Sequence, residues 1–323
     1  MIIRALEKPN GKSEPDQKPA CQTLNNIENI TFGVEIETTV PLTSQVIIGA
    51  YHVGAPAISA TTLEGERKQF PLFEGNAWKA ERDGSILAAK AGHKACEFVS
   101  PVLKGEAGIL HLIAFVEFLR EIGAAVNPTC GMHIHVGVGS AAAGEEITGY
   151  LERLVRLVSF NSKALYAQTG TVNRERGIYC APLGERTRQA VKKAKKRKVV
   201  AEAAATGSRY HILNLTNLPR TGTAEFRCFA ATLNTNKVLL HLFSVLALCI
   251  IARKAKTPVH WENKTITGTK ALTNFLKVRP MARIVGSPTM TERFPRMISK
   301  ALEMGAKYDL AEAGCDLQTL ANA

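Results

Sequence analysis

Four strand-like segments, far apart in the sequence, each combine an apolar side with a side that carries glutamate or histidine. In the first, 30–40, Val34 and Ile36 alternate with Glu35 and Glu37. Because successive side chains of a strand point to opposite faces, the two carboxylates share one face. The other segments are 96–100 with Glu97, 130–137 with His133 and His135, and 223–232 with Glu225 and Arg227. The alternation predicts that Phe229 shares the face of Glu225.

Helical patterns lie between these strands, at 106–122, 145–168 and 236–255, and Gly123 is a plausible end for the first helix. Shorter strands are predicted at 46–54, 68–73 and 209–216. Helices on one side of a sheet, with charged side chains on the other, are the economical assembly. The sequence therefore predicts an α+β fold with a largely antiparallel sheet.

With 323 residues and 46% hydrophobic content, the chain can bury a full core. We predict a polar flexible tail over 1–26, a core over 27–255 with a basic insertion at about 181–207, and a C-terminal helical appendage over 256–323. The apolar stretch 238–252 is too short to span a bilayer and is predicted to be a buried core helix.

Much of the net charge of +13 comes from one run, formed by Lys192, Lys193, Lys195, Lys196, Arg197 and Lys198. Such a run either contacts a polyanion or forms a solvated helix or loop. The seven cysteines are scattered and form no CxxC pair, which predicts reduced thiols. The N-terminus lacks the pattern of a signal peptide, so we expect a cytoplasmic protein.

The polar faces present a candidate metal site, formed by Glu35, Glu37, Glu97, Glu225 and His133. Oxygen ligands with one imidazole suit Mg²⁺ or Mn²⁺ better than structural zinc. Each element alone also fits a solvated strand face, and Glu225 with Arg227 also fits a surface ion pair. Like charges on several strands of one face are unfavourable without cations between them, so the combination favours a site.

Several segments together resemble the amidoligase family, which belongs to the superfamily of glutamine synthetase and glutamate-cysteine ligase. The segments are Phe32-Gly-Val-Glu35-Ile-Glu37, Trp78 with Asp83-Gly-Ser85, Glu97-Phe-Val-Ser-Pro101, Cys130-Gly-Met-His133-Ile-His135, Arg209-Tyr-His-Ile-Leu-Asn214, and Glu225-Phe-Arg227 followed by Thr232-Leu. They occur in the family's order over roughly residues 30–250. The resemblance implies a glutamine-synthetase-like sheet with a metal and ATP site on its open face.

The resemblance also implies an ATP-dependent ligase that joins a carboxylate to an amine through an acyl-phosphate. In such an enzyme two or three Mg²⁺ or Mn²⁺ ions clamp the ATP phosphates, and their ligands would be Glu35, Glu37, Glu97, His133 and Glu225. Arg227 would face the transferring phosphoryl group, and Asp83 would bind or deprotonate the amine. The resemblance also makes Arg176, Arg209, Asn214 and His135 candidate contacts of the nucleotide or substrate. His135 could instead support one of the metal-ligating residues. The family further implies a homo-oligomer.

Three other interpretations stay open. A His-x-His strand also occurs in metal-dependent hydrolases, although further histidines in matching contexts are missing here. The basic run could make the chain a non-enzymatic nucleic-acid-binding protein, but no aromatic residues interleave with it. An inactive ligase fold is the third. No Walker loop is present, so a nucleotide would depend on the metal-lined sheet.

Overall fold

The computed structural model describes residues 27–46, 58–142, 147–184, 208–254, 267–277 and 287–315. The predicted tail 1–26, most of the strand predicted at 46–54, and the basic run 192–198 lie outside the described residues.

The strands of the described residues form one large and one small sheet, and every strand pair is antiparallel. They are β1 (Thr31–Pro41), β2 (Ser59–Thr61), β3 (Arg67–Gln69), β4 (Lys79–Glu81), β5 (His93–Val99), β6 (Leu103–Lys104), β7 (Gly131–Gly137), β8 (Leu213–Asn214) and β9 (Thr223–Ala230). The seven-stranded sheet has the order β4-β5-β1-β7-β9-β8, with β6 also paired to β1, while β2 pairs with β3. The predicted antiparallel sheet is confirmed.

One face of the large sheet is apolar across its central strands. Val34 lies opposite Ile134, and Ile36 lies opposite both Phe98 on β5 and Met132 on β7. All of these side chains are buried. The apolar side chains of β1 thus lie beside the apolar side chains of the neighbouring strands. The same register places the intervening polar residues together on the opposite face.

The helices of the described residues are α1 (Gly105–Glu121), α2 (Val138–Ala142), α3 (Ile147–Phe160), α4 (Ser162–Ala167), α5 (Asn173–Arg176), α6 (Leu218–Thr221), α7 (Thr235–Lys254), α8 (Gly268–Lys277) and α9 (Pro288–Glu312). Of these, α1 and α7 contact the apolar face of the sheet. A short 3-10 turn, Leu42–Ser44, follows β1. On α1, Phe115 contacts Phe98 edge-on at 5.5 Å and stacks on Trp78 at 3.5 Å. Gly123 follows α1 with a φ of 74°, as the predicted helix end requires.

Three predicted elements are shorter in the structure. Of the strand predicted at 68–73, only residues 68 and 69 lie in β3. The helix predicted at 145–168 is interrupted at Asn161, whose side-chain amide donates to the Leu157 carbonyl that its own backbone N–H also contacts. The strand predicted at 209–216 reduces to the two residues of β8.

Strand β9 contains a bulge that changes its alternation. Opposite β7, Met132 pairs with Phe229 and Ile134 with Phe226, so β9 has one residue more than β7 between these positions. Phe229 therefore lies on the apolar face, fully buried, and stacks on the His241 ring of α7 at 4.3 Å. The prediction that Phe229 shares the face of Glu225 is wrong, because the extra residue reverses the side of the strand beyond Arg227.

Helix α7 runs through the core. The stretch Thr235–Arg253 is long and apolar enough, by length and composition, to cross a membrane, but 78% of its most apolar window is buried inside the protein. This burial agrees with the predicted core helix.

The C-terminal helices pack into the same core. Leu272 of α8 and Tyr308 of α9 are fully buried there. The Asp309 carboxylate accepts hydrogen bonds from two backbone amides at the start of α8, and the Glu106 carboxylate of α1 accepts from Ser287 at the start of α9. The region predicted as an appendage is thus continuous with the core in its described parts, while the predicted domain boundaries remain predictions.

Candidate active site

The polar face of the sheet brings the predicted carboxylates and histidines together. The register makes three facing pairs: Glu35 with His133, Glu37 with Glu97, and His135 with Glu225. Each pair joins two different strands, and the strands β5, β1, β7 and β9 are consecutive neighbours. The polar side chains predicted from four distant segments thus form one continuous surface.

Among the residues that the structure describes, three groups of donor atoms have the spacing of a metal site. Within each group all ligand atoms lie within 4.8 Å of one another. The groups are Glu35, His135 and Glu225; Glu35, Glu97 and His133; and Glu37, Asp83 and Glu97. Glu35 belongs to the first two groups and Glu97 to the last two, so the positions adjoin. Carboxylates outnumber imidazoles, and this donor set fits Mg²⁺ or Mn²⁺.

His133 lies at the centre of the carboxylates. Its Nδ1 atom is 2.9 Å from Oε2 of Glu35 and 3.6 Å from Oε1 of Glu225, and its Nε2 atom is 3.6 Å from Oε1 of Glu37. The ring is buried, with only 4% of the side chain exposed. These contacts fix the ring between three acidic groups.

Glu35 is held in its charged form. Burial acts to raise the pKa of its carboxyl group, but the His133 and His135 rings outweigh burial and hold the pKa far below its usual range. The contact with Glu35 also affects the pKa of His135, whose Nε2 atom is 3.0 Å from Oε1 of Glu35. Burial acts to lower the pKa of His135, yet the Glu35 carboxylate raises it overall.

The pKa of Glu97 is raised, in contrast to the pKa of Glu35. Burial, followed by repulsion from the neighbouring carboxylates Glu35, Glu37 and Asp83, raises its pKa to about 8. Without a cation, this carboxyl group holds a proton at neutral pH. A divalent ion between these groups would replace that proton, and this is the behaviour expected of a ligand shared by two sites.

Hydrogen bonds orient two further carboxylates. Glu37 accepts one from the backbone N–H of Gly131. Glu225 accepts one from the Asn214 side-chain amide at 2.6 Å, and the Asn214 carbonyl oxygen is in turn fixed by the backbone N–H and hydroxyl of Thr216 at 2.9 Å and 2.7 Å. Asn214 therefore supports Glu225, a geometry that the sequence alone could not assign.

Arg227 adjoins Glu225 at the β8–β9 side of the site. Its Nη1 atom contacts the Glu225 carboxylate, and its Nε donates to the backbone carbonyl of Tyr179 at 3.4 Å. Its guanidinium also lies 6.0 Å from the centre of the Tyr210 ring, which the exposed Arg209 approaches at 5.1 Å. Cationic and aromatic groups thus form this border of the site.

The opposite border, at β4 and β5, is acidic. Asp83 follows β4 and accepts a hydrogen bond from the backbone N–H of Ser85 at 2.7 Å, while Glu81 lies opposite Glu97. The hydrogen bond with Tyr210 raises the pKa of Arg209, and the charges of Glu225 and Asp83 raise it further by smaller amounts. The predicted nucleotide or substrate contact of Arg209 stays a prediction.

Two arginines of α5 differ in placement. Arg176, a predicted contact, is exposed, and no contact of the described residues links it to the carboxylates. Arg174, which the sequence offered no reason to prefer, is buried, and its guanidinium lies against Gly131 on β7. The two residues are close in sequence but differ in their exposure to solvent.

This fold and donor set define an α+β protein with a candidate site for several divalent cations. The family model described as "Putative amidoligase enzyme" matches residues 28–248, which is more than half of the chain and includes every strand of the large sheet. The chain belongs to this amidoligase family, as the sequence motifs predicted.

Among solved structures, the chain is similar to a bifunctional glutathione synthetase from Pasteurella multocida, with 11% identity and a TM-score of 0.45 over 93% of this chain and 50% of that one. It is also similar to the ligase PafA in complex with the prokaryotic ubiquitin-like protein Pup, with 11% identity and a TM-score of 0.32 over 90% of this chain and 65% of that one. The chain thus spans about half to two thirds of their length. No curated protein sequence matches it.

Proposed function

We propose that this protein is an ATP-dependent carboxylate-amine ligase that forms an amide bond through an acyl-phosphate. The observation that supports this most directly is the row of three adjoining donor groups on one face of the sheet. Glu35 and Glu97 are each shared by two of these groups. Several cations in a row suit the phosphates of a nucleotide better than a single hydrolytic water.

The cations would be held by the predicted ligands Glu35, Glu37, Glu97, His133 and Glu225, with His135 completing the group of Glu35 and Glu225. Bound divalent ions supply charge neutralisation for the ATP phosphates and for the transferring phosphoryl group. This donor set also argues against the hydrolase alternative, since its imidazoles are fewer than its carboxylates.

The two borders of the site carry opposite charge, which suits the carboxylate and the amine substrate respectively. Arg227 and Arg209 lie at the β8–β9 border, where an anionic group is stabilised. Asp83 and Glu81 lie at the β4–β5 border, where a cationic amine is attracted. We assign the phosphorylated carboxylate to the arginine side and the amine to the acidic side, with Asp83 as the group that binds the amine and accepts its proton.

The reaction then follows in two steps. An oxygen of the substrate carboxylate forms a bond to the γ-phosphorus as the bond to the ADP oxygen breaks. The amine nitrogen next forms a bond to the acyl carbon, the carbon–oxygen bond to phosphate breaks, and the amine proton passes to a base. The residues contribute mainly by positioning and charge.

The test is release of ADP and phosphate from ATP with Mg²⁺ or Mn²⁺ across pools of amino acids, polyamines and short peptides. We expect release that depends on both a carboxylate and an amine. The variant Glu35→Gln should lack it, and Glu292→Gln should retain it, because Glu292 is exposed on α9. Substrate cleavage that requires metal but not ATP would instead indicate the hydrolase.

The partners in this proposal are a small-molecule or peptide carboxylate and an amine, in a cytoplasmic setting and in a homo-oligomer. Neither a membrane nor a nucleic acid is part of it. Light scattering at working concentration tests the oligomer, and a monomer would remove that part of the proposal.

A further inference from the structure

Arg174 occupies an unusual position beside the site. It belongs to α5, which is only four residues long, and its relative exposure is 8%. A Cβ atom placed on Gly131 would lie 2.8 Å from its Nη2 atom and 3.0 Å from its Nη1 atom. The guanidinium therefore fills the space that any side chain at position 131 would need.

This position is on the polar face of the sheet. Gly131 precedes His133 by two residues on β7, so a side chain at either position points to the same face. The backbone N–H of Gly131 also donates to Glu37, a member of the group with Asp83 and Glu97. The guanidinium of Arg174 thus lies next to the candidate cation positions.

Arg174 has no anionic partner among the described residues. Its Nη2 atom donates to the backbone carbonyl of Arg227 at 2.7 Å, and its Nε atom is buried without a hydrogen-bond partner in the part of the chain described. Burying an unpaired cation is unfavourable unless an anion compensates it. By contrast, Arg227 already contacts the carboxylate of Glu225. The uncompensated positive charge beside the donor groups therefore belongs to Arg174.

We propose that Arg174 binds the phosphoryl group that passes from ATP to the substrate carboxylate; this assignment rests on the proposed function. Its N–H groups donate to the phosphoryl oxygens while the bond to ADP breaks and the bond to the carboxylate oxygen forms. The same oxygens remain in contact until the amine displaces phosphate from the acyl carbon. The planar, permanently charged guanidinium suits such oxygens.

The residue is held ready for this role. The Cys180 thiol donates to the backbone carbonyl of Arg174 at 2.8 Å, and the bond to the Arg227 carbonyl fixes the other end of the side chain. A group fixed before the ligand arrives loses little freedom on binding.

The test compares the affinities of Mg·ATP and Mg·ADP, measured by calorimetry, for the full-length protein and its variants. Only ATP carries the group that Arg174 would contact. We expect Arg174→Gln to weaken Mg·ATP binding about 10- to 100-fold, as for loss of a hydrogen bond to a charged group. The affinity of Arg174→Gln for Mg·ADP should stay within about threefold of wild type. The affinity of Arg174→Lys for Mg·ATP should lie between those of wild type and Arg174→Gln. Arg120→Gln, an exposed change on α1, should alter neither affinity.

A second variant guards against a folding effect. Gly131→Ala keeps Arg174 and the N–H that Glu37 needs, but its methyl group displaces the guanidinium. It should reduce Mg·ATP affinity selectively, in the same direction as Arg174→Gln, while Mg·ADP affinity stays within about threefold of wild type.

The outcomes separate the two proposals. Wild-type protein that binds neither nucleotide would remove the proposed function and this assignment with it. Wild-type binding with an unchanged ATP-to-ADP ratio in Arg174→Gln and Gly131→Ala would overturn the role of Arg174 alone, and so would an equal loss of both nucleotides.

Discussion

Glu35 of β1 faces His133 of β7, with Oε2 of the carboxylate 2.9 Å from Nδ1 of the ring. Glu35 is also 3.0 Å from His135 and is shared by two of the three donor groups. A change at this residue therefore affects two candidate cation positions together.

We expect Glu35→Gln to lower substrate-dependent ADP release at least about 100-fold, because an amide cannot replace a charged ligand of a divalent ion. The amide keeps the size of the carboxylate, so the circular dichroism spectrum should stay native. Glu292→Gln is the matched control. Normal turnover in Glu35→Gln would show that the donor groups containing Glu35 are not used.

The raised pKa of Glu97 predicts a pH effect on the metal-free protein. Its carboxyl group has a pKa of about 8 in the folded chain, compared with an ordinary value of 4.5. The folded state therefore holds this proton more tightly, and its stabilising effect is complete below about pH 4.5 and is lost as the pH rises to about 8.

The contribution of Glu97 is measured as the change in melting temperature between pH 5 and pH 8.5 in EDTA. In wild type, Glu97 should make the protein less stable as the pH rises, and Glu97→Gln should remove this part of the slope. Mg²⁺ should also reduce it, because the ion takes the place of the proton. Equal slopes for Glu97→Gln and wild type would contradict the shift.

Arg227→Lys should reduce the maximal rate of ADP release by about 100-fold, since an ammonium group cannot reproduce the planar contacts of a guanidinium. The Michaelis constant for ATP should change less than the rate. Arg220→Lys, at an exposed position on α6, controls for the substitution itself. An undiminished rate would exclude Arg227 from the phosphoryl-transfer step.

Asn214→Leu tests the support of Glu225. The change removes the 2.6 Å hydrogen bond that orients this carboxylate, while the residue remains buried in β8. Loss of such a supporting bond commonly lowers metal affinity about 10- to 100-fold. Titration with Mn²⁺, followed by electron paramagnetic resonance, measures this directly; affinity equal to that of wild type would show that Glu225 is oriented by other contacts.

Phe229→Ala tests the bulge in β9. Because Phe229 is fully buried and stacked on His241, its removal should lower the free energy of unfolding by about 3 to 5 kcal/mol. Phe160→Ala should cost much less, since Phe160 is 51% exposed. Urea denaturation measures both. Similar losses for the two variants would argue that Phe229 lies on the open face.

The sequence predicted much of this arrangement because the relevant signals are local. Alternation in β1 and β7 fixes the shared face of Glu35 with Glu37 and of His133 with His135, whatever their neighbours are. The same argument failed at Phe229, because the bulge arises from pairing between β7 and β9 and leaves no trace in the alternation of β9 alone.

The sequence by itself determined the donor types, the two-sided strands and the family. Only the tertiary structure decided which side chains meet. It placed Glu97 against Glu37 and raised the pKa of Glu97, joined Asn214 to Glu225, and buried Arg174 while leaving Arg176 exposed. The physical reason is that strand periodicity is a property of neighbouring residues, whereas register, burial and the resulting electrostatics depend on segments that meet only when the chain folds.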